Sequence, residues 1–198
     1  MSSRSAARCP AVVLSEVADA ALAEPARLGD VRVVAVDGPS GAGKSTFAAR
    51  LCAEFRRRGV RTVLISSDEF ATWDDPVSWW PLLADGVLGP LARGESGRYR
   101  KLDWTSGFPV PGEEVAVAPP EVLVLEGVSV GRASFRSRLS MLCWAGGPDE
   151  RARLERAVRR DGEACRASLR RWQAFERGWF AVDRPDAAVH PKGLVPLV

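Results

Sequence analysis

The sequence has little from which a zinc or redox centre could be assembled. It contains one histidine, His190, and four widely scattered cysteines, Cys9, Cys52, Cys143 and Cys165. Their spacing suggests neither a zinc site nor a redox dithiol, and they read as small core or surface residues in a reducing compartment. No run approaches the ~18 uninterrupted apolar residues that a membrane crossing requires. The formal net charge is only +3, too even to imply a polyanion as main partner. Lysine is scarce: Lys44, Lys101 and Lys192 are the exceptions among 28 basic residues that are otherwise all arginine. The N-terminus opens on Ser2, Ser3, Arg4 and Ser5 and develops no signal-peptide core. These absences predict a cytoplasmic protein that acts on neither nucleic acid nor membranes.

What is present suffices for one domain over residues 1–198, because 46% of the chain is hydrophobic and the net charge is small. Val13, Val17, Ala20, Ala21 and Glu24 recur at near-helical spacing, so residues 11–24 read as an amphipathic helix, with a linker to about residue 30. The β-branched run 31–36 suits a buried parallel strand. A helix over 45–58 and strands at 62–65, 121–126 and 139–144 follow, with further helices at 149–160 and 164–180. Residues 67–120 are an irregular insertion with turn signals throughout and a short helix at 79–92. Strands alternating with helices predict a parallel α/β sheet covered on both faces.

The chemistry is concentrated after the first strand. Gly38, Pro39, Ser40, Gly41, Ala42, Gly43, Lys44 and Ser45 match the spacing G-x-x-x-x-G-K-[ST]. Glycines let successive N–H groups turn inward as a nest for phosphate oxygens, and the following helix, through Thr46, adds its positive end. Lys44 would reach the β- and γ-phosphates, and the Ser45 hydroxyl would ligate Mg²⁺.

Such a loop identifies a nucleotide site rather than a reaction. Loops beyond the carboxyl ends of parallel strands line the crevice. Asp68, just after strand 62–65, can therefore take a proton from an attacking hydroxyl or hold metal, unless it is a solvated or capping residue. Glu126 ends a buried strand, a costly place for an acid that has no task, and is expected to hold Mg²⁺ or to orient Asp68.

The segments VDGPSGAGKST (36–46), SSDEF (66–70), WDDP (73–76), LDW (102–104), VLVLEG (122–127) and RRD (159–161) resemble the uridine kinase-like family of phosphate-loop kinases. They occur in that family's order over residues 31 to about 161. The resemblance implies a P-loop NTPase three-layer sandwich with about five parallel strands, ATP as donor and a small arginine-bearing lid. It also implies that Asp68 is the general base and lies near the metal. Family members acting on uridine or cytidine usually carry an aromatic–Asp pair and a downstream histidine in the acceptor region. Here that stretch is Leu102-Asp103-Trp104, with no histidine before His190.

Trp73, Trp79, Trp80 and Trp104 fall in the insertion, where they either form an acceptor pocket or pack the insertion on the sheet. Trp73, Asp74, Arg98, Asp103 and Trp104 are the candidate acceptor contacts. Residues 149–177 are a lid and final helix with nine arginines and six acids. Arg156, Arg159 or Arg160 would close over the transferring phosphoryl, the other reading being a solvated face with i,i+4 pairs such as Glu155 with Arg159. Trp172, Phe175, Trp179 and Phe180 read as the last helix's apolar stripe. The expected activity is ATP- and Mg²⁺-dependent phosphorylation of a hydroxyl on a nucleoside or other small molecule. The alternatives are a regulatory NTPase without a small acceptor and a nucleic-acid module using the arginine-rich end. Against the regulator, the chain lacks both an Asn-Lys-x-Asp motif and an Asp-x-x-Gly switch after the third strand.

Overall fold

The computed structural model describes residues 10–195; Cys9 and the segment from Ser2 to Ser5 lie outside the described residues. The central sheet is built on two apolar strands that are buried on both faces, with a half-buried β-branched strand at one edge. Strands β1 (Arg32–Asp37), β2 (Thr62–Ser66), β5 (Val122–Glu126) and β6 (Met141–Trp144) lie parallel in the order β2-β5-β1-β6. The register sets Val36 opposite Glu126 and Ser66 opposite Glu126, so the strands end level and their following loops share one edge.

Alternation along the strands divides the core. Val34, Val36, Val122, Val124 and Met141 face helices α1 (Pro10–Ala23) and α2 (Lys44–Arg57), where Val17, Leu51 and Phe55 are fully buried. Each such side chain contributes roughly 1.5–3 kcal/mol of transfer free energy. Val33, Ala35, Leu123 and Leu125 face the insertion.

The insertion contains more regular structure than its sequence suggests. Its helical stretch is α3 (Trp80–Leu83), a π turn over Ala84–Leu88 and α4 (Gly89–Ala92). Pro90 has no N–H to return to the preceding turn, which accounts for the break in a continuous helix. An unforeseen antiparallel hairpin follows, β3 (Gly97–Asp103) with β4 (Val110–Val117). Phe70 stacks between Trp79 and Tyr99 at centroid distances of 5.4 and 4.8 Å, fixing the hairpin to the sheet. The buried Arg132 guanidinium sits 4.3 Å from the Trp80 ring and 5.4 Å from the Trp179 ring, and donates to the Val77 carbonyl at 3.1 Å. Burial lowers its pKa to about 10. It pins the insertion to the final helix through stacked, desolvated contacts.

Helices α5 (Glu150–Asp161) and α6 (Arg166–Asp183) cross the carboxyl ends of the strands and pack on each other through Leu154, Ala157, Val158 and Leu169. The break at Gly162 occurs where φ is +94°. One expectation needs correction. The described sheet has four strands rather than about five. Beside β6 a fifth position is reduced to one parallel bridge, Trp144 with Leu194, since Pro191 cannot donate to a ladder and Gly193 weakens one. Glu155, the example of an i,i+4 partner for Arg159 in the alternative reading of the arginine-rich face, is instead held by Arg166 at 2.6 Å.

Candidate functional site

β1 delivers the chain into the glycine-rich loop through Asp37, which is fully buried. Its carboxylate accepts from the backbone N–H of Gly38 at 2.7 Å, Gly131 at 2.7 Å and Ser129 at 3.1 Å, joining the start of the loop to the turn after β5. Burial pushes its pKa up to about 6 despite those bonds and the nearby Lys44. Gly41 has φ +73°, and a Cβ there would lie 2.3 Å from the Arg153 carbonyl oxygen of α5. The loop and α5 therefore touch backbone to backbone, which only glycine permits.

No side chain caps the N-terminus of α2, so its first N–H groups are left facing the cleft for an anion. Lys44 is buried, and its Nζ donates to the loop's own Pro39 carbonyl at 2.9 Å.

At the ends of the neighbouring strands, Glu126 is 5% exposed and accepts from Ser66 Oγ at 2.6 Å and Ser45 Oγ at 3.3 Å. Burial raises its pKa, and Lys44 opposes that rise. Among the described residues no three His, Cys, Asp or Glu side chains cluster as a ready metal cage. A hydroxyl, one carboxylate and nearby Asp68 instead fit Mg²⁺, which is usually held by one or two protein oxygens together with substrate phosphates. Gly127 follows at φ +136°, with Ser67 Oγ 1.8 Å from where a Cβ would stand. Its backbone thus lets the Asp68 turn close over β5. Asp68 is exposed on that turn, where its N–H donates to Ser66 Oγ at 3.2 Å and its carbonyl accepts from Trp104 Nε1 at 2.9 Å.

These groups open into one cleft of about 810 Å³. Ser40, Gly41, Gly43, Lys44, Ser45 and Thr46 form its floor. Asp68 and Glu126 also line it, and Arg156 and Arg160 reach it from α5. The far end is indole-rich: Trp73 meets Trp104 edge-on at 5.4 Å and Trp172 edge-on at 6.1 Å. Arg160 is held by Asp161 at 2.6 and 2.8 Å, and this bond raises its pKa most, with Asp68 and Glu126 adding to it.

The remaining candidates lie elsewhere. Gly38 and Ala42 shape the loop but do not line the cleft. Arg159 is on the exposed face of α5, and Asp74 is exposed beside Trp73. Arg98 pairs with Glu114 across the hairpin at 3.2 Å, and Asp103 accepts from the Thr105 N–H at 2.8 Å. The cleft also takes in residues that the sequence reading left out or placed in the core. Trp172 forms its wall rather than only an apolar stripe, and Val128, Cys165 and Leu169 join it. Glu176, one turn beyond Trp172, is buried against Ser40. The pairing of Trp172 with Glu176 at i,i+4 was the available signal.

No family model matches the chain, and no curated protein is similar to it. Solved structures do match. One, described as a possible uridine kinase from Bacillus stearothermophilus, has a TM-score of 0.67 at 14% identity, covering 94% of this chain and 98% of its own. Another, provisionally described as a fructose transport system kinase from Silicibacter sp. TM1040, has a TM-score of 0.62 at 18% identity, covering 96% of this chain and 100% of its own. The chain thus has the fold of these phosphate-loop kinase-like proteins over nearly its whole length. Among the described residues no helix is long and apolar enough to cross a membrane.

Proposed function

We propose that the protein is an ATP- and Mg²⁺-dependent kinase that phosphorylates a hydroxyl of a nucleoside or other small, ring-bearing molecule. The observation that carries this reading is the shared cleft. One end holds the phosphate loop and Lys44, the other holds three indoles, and the exposed carboxylate of Asp68 lies between them.

The loop N–H groups and Lys44 hold the donor phosphates, with Lys44 Nζ exchanging the Pro39 carbonyl for phosphate oxygen. Ser45 and Glu126 would hold Mg²⁺, which when bound neutralises charge on the β- and γ-oxygens. Trp73, Trp104 and Trp172 enclose the acceptor's flat face and exclude water. Asp68 takes the hydroxyl proton as the acceptor oxygen bonds to the γ-phosphorus. The bond from that phosphorus to the β–γ bridging oxygen breaks, and its electron pair leaves with ADP. Arg156 and Arg160 supply positive charge to the equatorial oxygens, Arg160 by releasing Asp161.

The test is a coupled assay of ADP release from Mg·ATP over a panel of nucleosides, sugars and amino alcohols, with mass spectrometry of each hit. A product heavier by one phosphoryl group is expected. ADP release without any phosphorylated small molecule across the panel would point to a regulatory NTPase instead.

A further inference from the structure

The final helix contributes one acid to the phosphate loop. Glu176 is 2% exposed, and its two oxygens are divided over one loop residue. Oε1 accepts from the Ser40 N–H at 2.9 Å and Oε2 from the Ser40 hydroxyl at 3.2 Å. Trp172 lies one turn earlier on the same helix. It packs edge-on against Trp73 in the wall opposite the loop.

A carboxylate in this position is expensive to bury, and burial raises its pKa, with Lys44 as the largest opposing influence. It also sets negative charge beside a loop meant for anions. Packing alone would be served equally well by an uncharged side chain. What the carboxylate provides is a two-point grip on the loop's turn, which fixes the direction of its following N–H groups.

We infer that Glu176 is a positioning residue for the donor-phosphate loop, holding Ser40 in its phosphate-receiving shape from a point one helical turn beyond Trp172. This rests on the reading that the loop takes ATP phosphates. Its test therefore measures ATP binding directly rather than turnover.

Mg·ATP is titrated calorimetrically into the full chain and its variants, with Tm measured alongside. Glu176→Ala should raise the Kd for ATP about tenfold or more, the range of a lost charge-assisted pair. Glu176→Gln, which can still accept the Ser40 N–H and bond the hydroxyl, should stay within about threefold of wild type. If the alanine variant does not fold, Glu176→Asp, one methylene too short for both bonds, must still weaken ATP by about threefold. A lower Tm with an unchanged Kd would make Glu176 a packing residue and overturn the inference. A wild-type chain that binds no ATP would overturn the donor reading itself. Wild-type binding that survives all three substitutions would overturn only the role of Glu176.

Discussion

Gly41→Ala tests whether the loop and α5 are in direct backbone contact. Two separable costs follow from the geometry. At φ +73° an L-residue costs about 1–2 kcal/mol more than glycine. The new Cβ would also stand 2.3 Å from the Arg153 carbonyl oxygen. Ordinary contact begins near 3.4 Å, so roughly 1 Å must be opened between two backbones, at about 1–3 kcal/mol for such overpacking. Gly43→Ala is the internal control, because its φ of +93° carries a similar conformational cost while no atom lies within 4 Å of its Cβ. Urea unfolding of the two nucleotide-free variants should therefore differ by about 1–3 kcal/mol, Gly41→Ala being the weaker. In a chain of this size that corresponds to Tm values roughly 2–12 °C apart. Because α5 also carries Arg156 and Arg160, the displaced helix should lower turnover beyond the stability loss. Equal destabilisation by the two variants would refute the close packing of loop on α5.

Lys44→Ala should abolish measurable Mg·ATP binding while leaving Tm within a few degrees, read by calorimetry and thermal melting; retained binding would move the donor site elsewhere. Asp68→Asn should lower turnover about 100-fold or more with ATP affinity nearly unchanged, and normal turnover would remove Asp68 from its role. For Asp37, the folded pKa of about 6 lies above the ordinary value of 3.8, so the native state binds the extra proton. Its contribution is most favourable below the lower value, declines as pH rises through that window, and is constant above about 6. Two units correspond to about 3 kcal/mol. Stability measured from pH 4 to 6 should fall more steeply in wild type than in Asp37→Asn, and parallel curves would contradict this.

The parts of the site that were legible from sequence are those written in consecutive residues. Gly38 to Thr46, the turn after β2 that presents Asp68, and the strand end at Glu126 each sit directly at the end of an apolar, β-branched run. The parallel register then brings three such loops to one edge. The β3–β4 hairpin escaped because its outer face is solvated and Pro111 and Gly112 interrupt β4, leaving no clean apolar alternation. Trp172 and Glu176 escaped for a different reason. On a helix that also buries Leu169 and Gln173, apolar spacing says which side faces inward but not what that side meets.

In this fold α6 meets the phosphate loop at Glu176 and the proposed acceptor wall at Trp172, one turn before it. A single helix therefore contacts both halves of the proposed reaction, while Arg132 pins the insertion to the same helix through Trp179. That arrangement makes α6 the element whose displacement should disturb donor and acceptor together. Substitutions at Trp73 or Trp104 should instead act on the acceptor alone. Trp73→Leu should raise acceptor KM with ATP affinity unchanged, whereas Trp172→Leu should weaken both. If Trp172→Leu affected only the acceptor, the two halves would be held independently, and the link through α6 would be wrong.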